Sequence, residues 1–151
     1  MTSRLPRARP DRGRRVVVTG IGAVSPNGIG TESFWSATRA GRSGVSRIEQ
    51  FDVSDYPTRI AGQVRDFRPE DYLSGREVKH LPRAASLGLA AATEALSDAG
   101  IDAGALDLEQ RRHFAVVVGS GGVGWEFTER QFREYYFGNP KSVSLYTIPS
   151  S

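Results

Sequence analysis

Cysteine is absent from the 151 residues. Within this sequence that excludes disulfides, thiolate metal sites and a cysteine nucleophile. Histidine is almost absent: His80 and His113 are the two present, too few for a histidine-rich metal site. Long apolar runs are also missing. Phe114 to Val118 is among the longest, far short of the ~20 residues a spanning helix needs. The arginine-rich start has no apolar h-region, so no secretory signal is expected and the cytoplasm is the expected compartment. What remains, 38% hydrophobic and 25% charged residues, fits one globular domain or a piece of one.

A surplus of one charge sign is confined to one end. The formal net charge is +3, but Arg4, Arg7, Arg9, Arg12, Arg14 and Arg15 face Asp11 alone in the first fifteen residues. The remainder is slightly acidic. The sequence therefore predicts a disordered basic tail over 1–13 and a folded body over 14–151. Basic residues in the body are not interleaved with aromatics, which argues against a nucleic-acid module.

The body begins with Val16-Val17-Val18, a β-branched run that reads as a strand buried on both faces. A loop rich in glycine and proline follows, from Gly20 to Gly30. Thr31 is the expected cap of a short helix that Gly41 ends, with Phe34, Trp35 and Thr38 on its apolar side. Arg59 to Val64 partly alternates as a strand does, and Pro69 suits the first turn of a short helix. Pro82 to Ala99 is the clearest helix: Ala84, Leu87, Gly88, Ala91, Ala95, Leu96 and Ala99 recur at helical spacing. That mostly small stripe predicts a buried central helix, stopped at Gly100. Phe114 to Val118 reads as a second buried strand. Trp125 to Tyr136 reads as a helix with Phe127, Phe132 and Tyr135 or Tyr136 on one side. Buried strands alternating with helices predict a layered α/β fold.

Three motifs invite chemistry. Gly119-Ser-Gly121-Gly-Val-Gly124 matches the dinucleotide fingerprint literally, after a predicted strand and before a predicted helix. The acidic residue expected about 20 positions later is missing, so a tight packing turn is the competing reading. Gly20-Ile-Gly22 fails the same pattern, and no lysine stands in Walker spacing. No G-x-S-x-G elbow is present, and neither histidine has a nucleophile at telling spacing. The residues alone read as scaffold without a catalytic constellation.

Six segments in order carry a resemblance. They are Arg14-Arg-Val-Val-Val-Thr-Gly-Ile-Gly-Ala-Val-Ser-Pro-Asn-Gly28; Phe34-Trp35 with Ala40-Gly-Arg-Ser-Gly44; Phe51-Asp52 with Ala61-Gly62 and Asp66-Phe67; Leu87 to Gly100; Val116-Val-Val-Gly-Ser-Gly121; and Ile148-Pro-Ser150. Together they resemble the N-terminal portion of β-ketoacyl acyl-carrier-protein synthases, the condensing enzymes of fatty-acid and type II polyketide synthesis.

The resemblance implies the N-terminal half of a thiolase-like fold, layered α/β/α/β/α and incomplete in this chain. It implies decarboxylative Claisen condensation of an acyl thioester with malonyl-acyl-carrier protein. In the family a cysteine and two histidines carry that chemistry, and none of them matches a position here. No catalytic residue is therefore expected in the chain, which by itself is expected to be inactive and truncated before the nucleophile. The substrate-binding positions implied are Gly122, Thr147 and Ile148, on the wall of the acyl tunnel. Relatives often have a branched aliphatic residue at the position of Gly122 and an aromatic one at the position of Thr147. Neither a cofactor nor a metal is implied, since phosphopantetheine is brought by the carrier protein. The implied partners are an acyl carrier protein and either a second copy or a ketosynthase paired with a chain-length factor, with no nucleic acid and no membrane. A non-catalytic subunit of the chain-length-factor type is the alternative.

Overall fold

The computed structural model describes residues 15–121, 124–145 and 147. The basic tail, Gly122 and Ile148 lie outside these residues. The described chain is mixed α/β. Two antiparallel strand pairs, β1 (Val24–Ser25) with β2 (Gly28–Ile29) and β3 (Val45–Arg47) with β4 (Ile60–Gly62), stand beside five α-helices. The helices are α1 (Thr31–Arg39), α2 (Gly75–His80), α3 (Arg83–Asp98), α4 (Leu108–Arg111) and α5 (Trp125–Phe137). Of two 3₁₀ turns, Pro69–Asp71 and Pro140–Ser142, the first starts at the proline that predicts it.

Helix α3 forms where the small-residue periodicity places it, and Gly100 ends it with φ of +68°, the left-handed conformation glycine accepts at a C-terminus. Gly41 closes α1 in the same way, at φ +64°. The cap of α1 differs from expectation. Gly30 occupies the N-cap and Thr31 is the first helical residue. Two short helices that hydrophobic periodicity does not reveal, α2 and α4, are fixed by capping boxes. Ser74 accepts the Glu77 amide while Glu77 accepts that of Ser74, and Asp107 and Gln110 repeat the exchange.

The two predicted buried strands do not form. Val16, Val17 and Val18 are 91%, 66% and 81% exposed, and Val116 to Val118 are exposed to a similar degree. An extended apolar run becomes a strand only when a neighbour supplies its ladder hydrogen bonds. Among the described residues neither run has a ladder partner. The observed sheets are instead local antiparallel pairs, the second joining segments thirteen residues apart, and no continuous layered sheet occurs among the described residues.

The core is correspondingly small. Ala37 of α1, Val53, Phe67, Ala90 of α3 and Phe127 of α5 are the buried apolar residues among those described. Phe67 stacks on Tyr72 with centroids 5.4 Å apart, and the Arg83 guanidinium lies 5.7 Å over its ring. On α5 the buried positions are Phe127 and Gln131, whereas Phe132, Tyr135 and Tyr136 are more than half exposed. Of the aromatic side predicted for this helix, Phe127 is thus buried while Phe132, Tyr135 and Tyr136 lie outward. The buried stripe follows the i, i+4 pair 127 and 131.

Candidate functional site

Two places gather polar side chains onto backbone in a way that positions a loop. The first is the face of α3 under the glycine loop. Gly20 and Gly22 lie directly on this helix: a Cβ at Gly20 would stand 2.1 Å from the Ala95 carbonyl oxygen, and one at Gly22 1.9 Å from that of Ala91. The alanines of the small-residue stripe make this approach possible, which explains the glycines without a nucleotide. Contact brings the loop's amides within reach of two carboxylates one turn apart. Asp98 Oδ2 accepts from the Ile21 amide at 2.9 Å, Glu94 Oε2 from that of Ala23 at 2.9 Å, and Glu94 Oε1 from that of Thr31 at 2.6 Å. The Thr31 hydroxyl returns to the Ile21 carbonyl at 3.2 Å.

Glu94 is half-buried. Burial pushes its carboxyl upward, but the hydrogen bonds from the Thr31 amide, the Ala23 amide and the Thr31 hydroxyl outweigh it and hold the group below its ordinary value. A carboxylate with both oxygens engaged by backbone is a clamp, and its lone pairs are committed to structure rather than to proton transfer.

The second place is the concave side of the segment that follows α5. A cavity of about 180 Å³ is lined by Gln131, Phe132, Tyr135, Tyr136, Val143 and Thr147. Thr147, the described member of the predicted substrate-binding set, lines it. Its hydroxyl donates to the Ser144 carbonyl at 2.6 Å and its amide to the same oxygen at 3.1 Å. The hydroxyl is therefore turned back on its own segment. Ser144 in turn donates its amide to Gln131 Oε1 at 2.7 Å, and Ser142 donates its hydroxyl to Glu134 Oε2 at 3.0 Å. The lining is aromatic and aliphatic apart from Gln131 and Thr147, a surface suited to an alkyl chain. Gln131 escapes a reading by periodicity because one polar residue between aromatics looks like an exposed position. The usable signal was its i, i+4 relation to Phe127.

A larger cleft of about 520 Å³ lies between the strand pairs. Several of its polar groups are already engaged with protein. Arg65 donates to Ser46 Oγ at 2.9 Å and to the Arg47 carbonyl at 2.8 Å, Asn27 to the Arg42 carbonyl at 3.3 Å, and Gln63 to the Arg47 carbonyl at 3.0 Å.

The dinucleotide context is not met. The segment before Gly119 is not a strand, and neither Gly119 nor Gly121 has any atom within 4 Å of where a Cβ would stand, so no close packing demands glycine there. Gly124 does have a conformational reason: it starts α5 at φ +77°. The two histidines stay apart. His80 ends α2, and His113 is an exposed residue just after α4. No cluster of three metal-ligating side chains occurs among the described residues, and no helix among them is long and apolar enough to cross a membrane.

Comparison with known proteins now gives this arrangement a family. Residues 13–148 match the β-ketoacyl synthase N-terminal domain. The chain is 39% identical over 131 residues to the tetracenomycin polyketide synthase ketoacyl synthase beta subunit of Streptomyces glaucescens, covering 87% of this chain and 31% of that protein. It is 38% identical over 138 residues to 3-oxoacyl-[acyl-carrier-protein] synthase 2 of Vibrio cholerae, covering 91% and 33%. Among solved structures, the ishigamide ketosynthase/chain length factor matches with a TM-score of 0.64 at 28% identity, over 89% of this chain and 33% of that one. The chain spans about a third of the length of these relatives. With six ordered segments, a matching domain and a shared fold in agreement, the chain belongs to the β-ketoacyl synthase family.

Proposed function

We propose that this chain serves decarboxylative Claisen condensation of an acyl thioester with malonyl-acyl-carrier protein, and that its own part is to shape the acyl tunnel. The observation that carries this is the 180 Å³ cavity between α5 and Thr147. It is mainly apolar, it holds no acid, base or nucleophile, and it includes a position picked from the sequence as tunnel wall. Gly122, Thr147 and Ile148 form that wall in this reading. Thr147 spends its hydroxyl on the Ser144 carbonyl and lines the cavity.

A thiolate attacks the incoming thioester in this chemistry, and histidines stabilise the enolate formed as malonyl loses carbon dioxide. The chain has no cysteine, so in this reading the thiolate comes from outside its residues. In the assembled protein Val16–Val18 and Val116–Val118 serve as central strands of a thiolase-like, layered sheet, their exposed faces covered by the rest of the fold. The likeness to a ketosynthase/chain length factor structure supports that placement. The compartment in this reading is the cytoplasm, where acyl carrier protein would be met.

One observation favours a second reading. A relative named as a beta subunit and a neighbour named as a ketosynthase/chain length factor both stand close to this chain. In that reading it belongs to a non-catalytic partner that sets chain length in a heterodimer. The test is to incubate the complete gene product with acyl and malonyl carrier protein and read products by mass spectrometry, with and without a cysteine-bearing ketosynthase subunit. Condensation by the product alone supports the synthase reading. Condensation only with the added subunit supports the partner reading. No condensation in either arm rejects both.

A further inference from the structure

The wall segment after α5 depends on one buried side chain. Gln131 is 7% exposed, in a helix whose neighbouring Phe132, Tyr135 and Tyr136 are more than half exposed. A primary amide in that position must have partners, because an unsatisfied buried polar group is costly. Its Oε1 accepts the Ser144 amide at 2.7 Å. The Ser144 carbonyl then receives both donors of Thr147, the hydroxyl at 2.6 Å and the amide at 3.1 Å. The path from helix to wall is thus continuous: Gln131 holds Ser144, and Ser144 holds Thr147.

Glu134, one turn further along α5, shares the Ser142 hydroxyl at 3.0 Å with the nearer Asn139 carbonyl at 2.6 Å. The Glu134 contact is exposed, whereas the Gln131 contact is the half-buried one. The screened bond yields first and the shielded bond sets the position. The segment also packs its first turn against α5. It is one 3₁₀ turn, Pro140–Ser142, followed by irregular chain.

We infer that Gln131 is a positioning residue for acyl-chain length: it fixes the chain at Ser144 against α5 and so sets how far the tunnel wall stands back at Thr147. The inference rests on the proposed tunnel-wall role of this chain. It assigns the limit on chain length to a residue that contacts the wall's backbone, in addition to those whose side chains fill the tunnel.

The test uses the complete gene product, with its ketosynthase partner where one is needed, and a series of acyl N-acetylcysteamine thioesters from butyryl to tetradecanoyl as primers. Product lengths are read by mass spectrometry. Hydrogen exchange is followed in the peptide spanning 139–147. Gln131→Met keeps the volume and removes the acceptor. The expected result is at least tenfold faster exchange at the Ser144 amide and at least a fivefold change in the ratio of long to short products. Gln131→Glu keeps the acceptor and is expected to restore both to within about twofold of the unaltered protein. Arg133→Ala, on the exposed side of α5, is expected to change neither.

Should Gln131→Met fail to fold, Gln131→Asn shortens the side chain by one methylene and is expected to act in the same direction. Faster exchange with an unchanged product ratio would make Gln131 a purely structural residue and overturn the inference alone. Unchanged exchange would overturn it as well. Absence of any condensation by the unaltered protein rejects instead the proposed function on which it rests.

Discussion

Replacing Gly22 by alanine puts the packing of the glycine loop on α3 to a quantitative test. The new methyl would sit 1.9 Å from the Ala91 carbonyl oxygen and 2.8 Å from its carbon. That is roughly 1.5 Å inside ordinary contact distance. Both neighbours are helix backbone, so the helix cannot give way and the loop must lift. Lifting by that amount stretches the 2.9 Å bond from the Ala23 amide to Glu94 beyond hydrogen-bonding range. A bond to a charged acceptor contributes ~1.5–3 kcal/mol, and overpacking costs a further ~1–3 kcal/mol. The expected local destabilisation is about 3–5 kcal/mol, or roughly 10²- to 10⁴-fold faster amide exchange over residues 20–31. Hydrogen-exchange mass spectrometry on the complete gene product measures it. Gly88→Ala is the matched control. It lies inside the same helix with nothing within 4 Å of the added methyl, and it is expected to stabilise α3 by ~0.5–1 kcal/mol. Exchange at 20–31 within twofold of the unaltered protein in Gly22→Ala would refute the close-approach argument.

Further predictions concern pH, chain length and association. Glu94 is held below its ordinary value by bonds that exist only in the folded state. Its contribution is therefore fully present above the ordinary glutamate range and lost as pH falls through the lower folded value. Glu94→Gln should flatten the acid limb of the 20–31 exchange profile below about pH 4.5, and an acid limb equal to that of the unaltered protein would exclude Glu94 as its source. Gly122→Ile should shift the complete protein toward shorter acyl products by refilling the tunnel, each lost methylene weighing ~0.8 kcal/mol; an unchanged length profile would remove Gly122 from the wall. The 151-residue chain alone should bind a hydrophobic dye and self-associate through Val16–Val18 and Val116–Val118, whereas a monodisperse monomer with a sharp melt would show those runs to be covered.

The parts of the fold legible in the sequence are those set by local rules. Helix α3 could be bounded within a residue because its alanine spacing and Gly100 stop lie inside one segment, and α5 likewise ends at the Gly138 break. The capping boxes of α2 and α4 were equally local, in Ser74-x-x-Glu77 and Asp107-x-x-Gln110, but carry no apolar stripe to draw attention to them. The valine runs are unpaired among the described residues for the opposite reason. Their composition suits a strand, while strand formation depends on partners that composition does not contain. At the candidate site, Thr147 is singled out through resemblance alone. Gln131 is not, because its role depends on a hydrogen bond thirteen residues away. The Glu94 and Asp98 clamp spans 63 to 77 residues and leaves no trace in local patterning beyond two acidic residues at i, i+4.

That clamp also bears on the order in which the chain acquires structure. Helix α1 is nine residues long and begins at Gly30, which offers no side chain to its first amides. A helix of that length is marginal in water by itself. The carboxylate that meets its first amide arrives from Glu94 on α3, placing a negative charge at the positive end of the α1 dipole. The stability of α1 is thereby conditional on a helix that lies more than forty residues later in the chain. During synthesis the segment 31–39 should remain largely unstructured until residues 83–98 have emerged and coiled. The loop 20–30 and helix α1 should then appear together in one cooperative step.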